Sequence, residues 1–240
     1  MKRFFRRHAT LWMLIGFCLL LGLFLSLRTG IFFTGRNLIN ILEANSFKLL
    51  LAIGMTFVIA SGGIDLSVGS ILSLSAIFTA LCMKQNIPVW LAILVGLLSG
   101  ILMGLINGAL IHFTGINAFI ITLGTSFLYR GLALIVTRGT PVSKLPAAYR
   151  AFGGGDIFQV ESGVYMALLV LLLSIPLLYK MRWGHYITTL GGNPVALRRC
   201  GVRTGAWRIS TFAVMGFLAA LAGIIISARL NSAEPNAGLN

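Results

Sequence analysis

Long apolar stretches dominate this chain of 240 residues and restrict what it can fold into. A helix needs about 20 such residues to cross a bilayer. Five stretches reach or approach that length: 11–27, 89–111, 117–136, 163–179 and 208–228. Two more, 38–60 and 68–83, are marginal, because the first begins with polar residues and the second is short. With 58% hydrophobic and only 10% charged residues, the sequence predicts an all-α, polytopic transmembrane helical bundle. We expect about seven spans, forming a single domain over 1–240.

A polar, glycine-rich segment separates the two marginal stretches, reading Ser61-Gly-Gly-Ile-Asp-Leu-Ser-Val-Gly-Ser70. It contains Asp65, one of only five acidic residues in the chain. Because charge at membrane depth is costly, this acid indicates either a functional site or a structural need. In the structural interpretation, Gly62 and Gly63 end one helix and Asp65 or Ser67 caps the next. In the functional interpretation, Asp65 contacts a ligand directly.

The net charge of +14 is unevenly placed along the chain. Lys and Arg concentrate at the N-terminus and in one late segment: Lys2, Arg3, Arg6 and Arg7, then Lys180, Arg182, Arg198, Arg199, Arg203 and Arg208. Basic residues favour the cytoplasmic side, which predicts a cytoplasmic N-terminus. If 38–83 crosses the membrane and returns, both basic clusters lie on the cytoplasmic side. If 38–83 forms one broken span, the two clusters lie on opposite sides. We favour the first arrangement, with 37–48 as an alternative amphipathic helix at the membrane surface.

Small residues mark the expected contacts between helices. Gly96, Gly100, Gly104 and Gly108 recur every four residues, forming one smooth helix face that lets another helix approach closely. Asn107 lies beside this face. Gly216, Ala219, Ala220 and Gly223 form a second small face.

The late basic segment, 180–207, contains the signals of a short helix. Asn193 suits the N-cap, Pro194 the first turn and Gly201 the position past the end. The helix 194–200 would carry apolar and small residues on one side and arginines on the other: Ala196, Leu197 and Cys200, then Arg198 and Arg199. Such a helix fits either a groove on a partner protein or the lipid surface.

Other classes of function find little support. The cysteines and histidines are scattered, without a metal-ligand spacing or a CxxC pair: Cys18, Cys82, Cys200, His8, His112 and His185. No convergent set of nucleophile, base and orienting group is visible, so an intramembrane enzyme is disfavoured. The basic charge has no soluble domain to carry it, which argues against nucleic-acid binding. No Gly-Lys pair occurs, and therefore no P-loop for ATP.

Several blocks together resemble the ribose-type sugar permeases of bacterial ABC importers. They cover most of the chain in order: Gly62–Gly69, Ala52–Ile59, Asn107-Gly108, Ala118–Gly124, Tyr129–Gly131, Gly191–Asn193 with Gly201-Val202, and Leu218–Gly223. Each block alone is weak, whereas the series is specific.

The resemblance implies a permease dimer, homomeric or heteromeric, in the bacterial inner membrane. It also implies a periplasmic sugar-binding protein and a cytoplasmic ATPase with tandem nucleotide-binding domains. The helix 194–200 would be the coupling helix that docks on this ATPase, with the residues Gly191, Gly192, Asn193, Ala196, Arg198, Arg199 and Gly201. Val195-Ala-Leu197 replaces the family's Glu-Ala-Ala-like stretch, so docking would be altered or would depend on the arginines.

The family typically has about ten spans and continues past the stretch that here ends at Asn240. The resemblance therefore predicts a C-terminally truncated permease, with a non-functional protein as one alternative.

For the translocation path we expect hydroxyl, amide and carboxylate side chains near the polar segment: Asp65, Ser67, Asn107, Thr122 and Thr125. Such groups suit a neutral monosaccharide, although hydroxyls in helices often bond to their own backbone. No catalytic residue, metal or cofactor is expected. The competing hypothesis is an ion-coupled secondary transporter with Asp65 as the ion ligand, which would need further intramembrane acids or an inverted repeat.

Overall fold

A computed structural model of the chain describes residues 9–238, with side chains from Trp12 onward. Its helices are α1 (Ala9–Thr29), α2 (Gly35–Ala60), α3 (Val68–Lys84), α4 (Val89–Thr114), α5 (Ala118–Thr137), α6 (Ala147–Gly154), α7 (Ser162–Tyr179), α8 (Arg182–Gly192), α9 (Pro194–Arg199) and α10 (Thr204–Leu230). Its short strands are β1 (Val142–Ser143), β2 (Asp156–Ile157), β3 (Val160–Glu161) and β4 (Ser232–Ala233). The N-terminal cluster that sets the predicted orientation, Lys2, Arg3, Arg6 and Arg7, lies outside the described residues.

The chain divides into two compact units, Met1–Ala44 and Asn45–Asn240, and α2 runs through the boundary. In the first unit, α1 is apolar all round, and only 6% of its span is buried. A helix of this kind is suited to lipid rather than water. The connection to α2 is held by the amide Nδ2 of Asn37, which donates to the Phe32 carbonyl at 2.8 Å.

Six of the described helices are long and apolar enough to cross a membrane, namely α1, α2, α4, α5, α7 and α10, and α3 is a shorter apolar helix. The predicted all-α membrane bundle and its apolar stretches are confirmed. The alternative of a separate surface helix over 37–48 is wrong, because α2 is continuous from Gly35 to Ala60. The polar start of α2 includes Glu43, which is buried at 6% exposure.

In the second unit, α2 and α3 run in opposite directions along α10. Gly54 of α2 lies against Met215 and Leu218 of α10. Gly63, just past the end of α2, lies against Phe212, nearer the start of α10. After the turn the direction reverses, and Leu72 of α3 lies against Gly223, further along α10. The chain therefore goes out and back between 45 and 84, as favoured from the charge pattern, and the alternative of one broken span is wrong.

We call residues 61–67 the signature turn and the end of the bundle that contains it the signature end. The loop 115–117 and the segment 180–203 lie at this same end. Residues 85–88 and 138–161 lie at the opposite end. The turn leads directly into α3 and lies beside α4 and α5. Polar side chains from these three helices come together next to it.

The core of the second unit is built on the two small faces predicted from spacing. Gly100 of α4 is so close to α10 that a Cβ atom there would lie 2.5 Å from the Gly216 carbonyl oxygen. A Cβ atom at Gly104 would overlap the Phe212 carbonyl oxygen, and one at Gly96 would overlap Thr79 of α3. Glycine is needed at these positions because backbone packs directly on backbone or on a buried side chain. Both predicted faces are confirmed, and α4 and α10 are each other's main partners.

The segment after α10 turns back along α3. Ala233 of β4 pairs with Val142 of β1, and the Ser73 hydroxyl donates to the Glu234 carbonyl at 2.6 Å. Further on, Gly238 lies against Gly69 in the first turn of α3. These contacts cover a face of α3 that would otherwise be open, and most of α3 is buried.

At the opposite end, Tyr149 fastens α6 to α10. Its buried hydroxyl lies 2.6 Å from the Ser227 hydroxyl and donates to the Ile224 carbonyl at 3.1 Å. Burial raises the pKa of the Tyr149 hydroxyl, so this group stays a neutral donor. The hydrogen bonds of the Tyr149 hydroxyl therefore contribute in full to the free energy of unfolding below about pH 10, the ordinary tyrosine pKa. Their contribution falls at higher pH.

We expect Tyr149→Phe to lower the free energy of unfolding by about 1 kcal/mol, the usual net value of one hydrogen bond. Ser227 keeps a partner in the Ile224 carbonyl, which limits the loss. Tyr165→Phe is the matched control, because Tyr165 makes a single hydrogen bond to the Ile157 carbonyl and is 40% exposed. Thermal unfolding of both variants in detergent checks this. Equal melting temperatures for the two would contradict the assigned role of Tyr149.

Candidate functional site

The signature turn begins with a helix C-terminal motif. Gly62, with φ of +80°, ends α2 in the left-handed conformation. Its N–H donates to the Ile59 carbonyl at 2.9 Å, and the Gly63 N–H donates to the Val58 carbonyl at 3.0 Å. This pair of bonds is the Schellman pattern, which favours glycine at the left-handed position. The predicted role of these two glycines in ending the helix is confirmed.

Asp65 is buried at the start of α3, with 1% exposure. Its oxygen Oδ1 accepts hydrogen bonds from the Ser67 N–H at 2.8 Å and from the Ser67 hydroxyl at 2.6 Å. The carboxylate thus holds Ser67, the N-cap residue of α3, at the end of the helix where the dipole favours negative charge. The Ser67 side chain itself makes no capping hydrogen bond, so that part of the prediction is wrong. The second oxygen, Oδ2, is buried and has no hydrogen-bond partner among the described residues.

Four buried side chains from three parts of the chain form a continuous hydrogen-bonded series, which we call the polar chain: Asp65, Ser67, Asn107 and Tyr129. The Asn107 amide donates to the Ser67 hydroxyl at 2.7 Å. The Tyr129 hydroxyl lies 3.2 Å from the Asn107 amide oxygen and 3.1 Å from the Met103 carbonyl. The polar chain ties the turn to α4 and α5, and Oδ2 of Asp65 is its one atom without a partner among the described residues.

Thr122 of α5 holds the turn from another side. Its hydroxyl accepts from the Leu66 N–H at 3.1 Å and lies 3.2 Å from the Ile64 carbonyl. It also donates within its own helix to the Ala118 carbonyl at 2.8 Å. Thr122 therefore provides the acceptor for the Leu66 N–H of the turn.

The structure does not bring all the predicted path residues together. Asp65, Ser67, Asn107 and Thr122 converge on the turn, whereas the Thr125 hydroxyl bonds only within α5, to the Thr122 carbonyl at 3.3 Å. Two participants were not predicted, Tyr129 and Ser126. The Ser126 hydroxyl lies 3.0 Å from that of Ser70. The spacing of the polar residues 122, 126 and 129 on one face of α5 is the signal that could have indicated them.

A cavity of about 180 Å³ lies at the signature end beside the turn. Its wall includes Ser61, Gly62 and Gly63 of the turn, Asn117 at the start of α5, and Arg208 of α10. Asp65 is not among its lining residues. The cavity borders the turn without reaching the carboxylate.

The predicted helix in the basic segment is present as α9. The Asn193 side chain caps it by accepting from the Ala196 N–H at 2.9 Å, Pro194 occupies its first turn, and Gly201 has φ of +78°. Leu197 is the buried anchor, at 5% exposure. The Arg198 side chain donates to the Thr204 hydroxyl at 3.1 Å.

The outward surface of α9 is basic and small. Ala196 and Arg199 are exposed, and so are Gly191, Gly192 and Asn193 before them. The predicted separation of an apolar and a basic side therefore holds for Leu197 and Arg199. Ala196 and Cys200 were expected on the apolar side, and both are exposed. Cys200 lies past the end of the helix, and Leu197 alone of the three is buried.

Comparison with known proteins adds the family. Residues 37–240 match the family described as the branched-chain amino acid transport system / permease component. The chain is 37% identical over 213 residues to the ribose import permease protein RbsC of Haemophilus influenzae, covering 87% of this chain and 66% of that protein. It is 34% identical over 237 residues to the D-allose transport system permease protein AlsC of Escherichia coli, covering 98% and 72%. No solved structure matches.

The autoinducer 2 import system permease protein LsrC of Yersinia pestis is 34% identical over 199 residues, covering 83% of this chain and 57% of that protein. The chain spans about two thirds of the length of the ribose permeases that it matches. The similarity extends from near the start of α2 to the end of the chain and includes the signature turn, the polar chain and α9. The chain therefore belongs to the permease family that includes the ribose-type import permeases.

Proposed function

We propose that this protein is the membrane-spanning permease subunit of an ATP-driven importer for a monosaccharide. The observation that carries the proposal is identity of 34–37% with permeases of ribose and D-allose import, over most of this chain. The described helices supply the apolar bundle that such a subunit needs. Because the sequence has no P-loop, ATP hydrolysis would belong to a separate subunit.

The family description names branched-chain amino acids, whereas the matched relatives are named for sugars and autoinducer 2. The polar chain and Thr122 offer mainly hydroxyl and amide groups, together with one carboxylate. Such groups favour a hydroxyl-rich substrate. Uptake of ribose, D-allose and leucine by reconstituted vesicles tests the assignment. Uptake of leucine but of neither sugar would overturn it.

We place the signature end in the cytoplasm, with the N-terminus on the same side. The segment between α7 and α10 carries the dense basic cluster, and basic residues favour the cytoplasmic side. In this orientation 180–207 serves as the coupling loop of the permease domain. The cytoplasmic ATPase would dock here, and the periplasmic binding protein would approach the opposite end. A second permease subunit would complete the path.

We assign the docking contact to α9 and its exposed Arg199. Because this helix lacks the acidic residue typical of the family, an acidic patch on the ATPase is the complementary surface. Arg199→Glu is expected to weaken binding of the import system's ATPase about tenfold or more, since like charges now face each other. Arg150→Glu is the matched control, because this exposed residue of α6 changes the same charge at the opposite end of the bundle. Titration of the ATPase onto the permease in nanodiscs measures both, and equal weakening would contradict the assignment.

A second candidate function, ion-coupled transport, is favoured by one observation. The buried oxygen Oδ2 of Asp65 has no partner among the described residues, which is the arrangement that a bound cation would satisfy. The two candidates differ in their energy source. Sugar accumulation driven by a sodium or proton gradient without any ATPase would favour the second.

A further inference from the structure

A backbone contact joins the coupling loop to the signature turn. Gly191, in the last turn of α8, lies against the end of α2 and against Gly62. A Cβ atom at Gly191 would overlap the Ala60 carbonyl oxygen and lie 2.9 Å from the Gly62 nitrogen. A Cβ atom at Gly62 would lie 3.2 Å from the Gly191 Cα atom. No side chain lies between the two backbones, so a movement of one backbone displaces the other directly.

The helix α8 is anchored along its length, which makes it a rigid connection. At its start, the indole N–H of Trp183 donates to the Ser210 hydroxyl at 3.1 Å, and the Trp183 ring packs edge-on against Phe57 at 5.1 Å. Ile187 and Leu190 are buried further along. At its end, the Asn193 N–H donates to the Thr189 carbonyl at 2.8 Å, and the same residue caps α9. A shift of α9 therefore reaches Gly191 within a few residues.

On the other side of the contact, the turn leads directly into the polar chain. Gly62 is three residues before Asp65, and Thr122 contacts the backbone on both sides of Asp65, at Ile64 and Leu66. Ser67 then joins the turn to Asn107. A displacement at Gly62 is thus passed to groups that we expect to lie along the translocation path.

We infer that Gly191 is a positioning residue, transmitting movement of α9 to the signature turn through its backbone contact with Gly62. The effect of this contact on sugar transport rests on the proposed function, in which α9 docks on the ATPase. The contact itself does not depend on what the protein transports. It can therefore be tested in the chain alone and again in the complete importer.

Gly124 of α5 provides the matched control, because it lies outside the coupling loop. Both residues are helical, neither has a positive φ, and both would gain about 1 kcal/mol of helix propensity on substitution by alanine. A Cβ atom at Gly124 would meet nothing within 4 Å. Gly191→Ala therefore disturbs the contact with the turn, and Gly124→Ala does not.

The first test uses the chain alone in lipid vesicles, with Cys18, Cys82 and Cys200 replaced by serine. The substitution Ile64→Cys places a thiol in the turn, where the side chain is 48% exposed. Gly191→Ala is expected to change the rate of maleimide labelling at this position about fivefold, the lower range of coupling between sites. Gly124→Ala should leave the rate unchanged. Equal labelling rates in the two variants would overturn the inference.

The second test uses the complete importer, with its ATPase and binding protein. Gly191→Ala is expected to lower the amount of sugar moved per ATP about fivefold. ATPase activity and assembly should stay at the level of Gly124→Ala. A purely structural role would instead lower assembly, ATPase activity and uptake together, and that outcome would contradict the inference. If the unmodified protein shows no ATP-driven uptake, the proposed function fails, and the labelling comparison still decides the role of Gly191.

Discussion

Gly104→Val is expected to destabilise the protein strongly, because it separates the two helices at the centre of the bundle. The added atoms would overlap the Phe212 carbonyl oxygen and crowd the backbone at Ala213. Overpacking costs about 1–3 kcal/mol when side chains can adjust. Here the obstacle is backbone, so we expect the upper end of that range or more. Since total stabilities are about 5–15 kcal/mol, this removes a large share of the free energy of unfolding and lowers the melting temperature clearly.

Gly124→Val is the matched control for this change. Gly124 lies in the spanning helix α5 and is exposed, and a Cβ atom there would meet nothing within 4 Å. We expect an effect within about 0.5 kcal/mol, typical of open positions. Monodispersity in size-exclusion chromatography and thermal unfolding in detergent distinguish the two variants. Normal folding of Gly104→Val would show that the contact between α4 and α10 is looser than described here.

Asp65→Ala is expected to abolish uptake, whereas Asp65→Asn should fold and keep partial uptake. Alanine leaves the buried Ser67 N–H without its acceptor, and such an unsatisfied group costs about 1–3 kcal/mol. It also removes the acceptor of the Ser67 hydroxyl at the end of the polar chain. Asparagine retains an oxygen that can accept from Ser67 at the same position. Asp65 would then act mainly by shaping the turn.

The measurement is the initial rate of sugar uptake, normalised to the amount of folded protein in the membrane. Ser126→Ala serves as a control that removes a hydroxyl near the turn without touching the carboxylate, and we expect it to retain most activity. Complete loss of uptake in Asp65→Asn at normal expression would contradict the structural role. It would favour direct contact of the carboxylate with a substrate or an ion.

The positions of the membrane helices could be predicted because a helix that crosses a bilayer needs a long run of apolar residues. Such runs can be located directly in the sequence. The start of α2 was harder, since Asn40, Glu43 and Asn45 resemble the polar face of a surface helix. A helix pairs its own backbone groups and can carry such residues where they are buried, as Glu43 is. Side-chain burial depends on neighbours, which the pattern of one segment does not specify.

The candidate site was predictable in part. The local signals of the turn and of α9 were reliable, because caps and left-handed glycines depend on residues close in sequence, such as Gly62 and Asn193. Tyr129 was missed because an aromatic residue within an apolar helix ordinarily packs in a core. Its pairing with Asn107 joins positions 22 residues apart. The contact between Gly62 and Gly191 is more distant still, and glycine carries no side-chain signature of its partner.

The central claim is that this chain moves a monosaccharide at the expense of ATP hydrolysed by another subunit. The most direct measurement is accumulation of radiolabelled ribose in vesicles containing the permease and its ATPase, with ATP inside and the binding protein outside. We predict that ribose accumulates above its external concentration with ATP, and not with ADP or without the ATPase. Accumulation driven by an ion gradient in the absence of the ATPase, or no accumulation with all three components present, would contradict the claim.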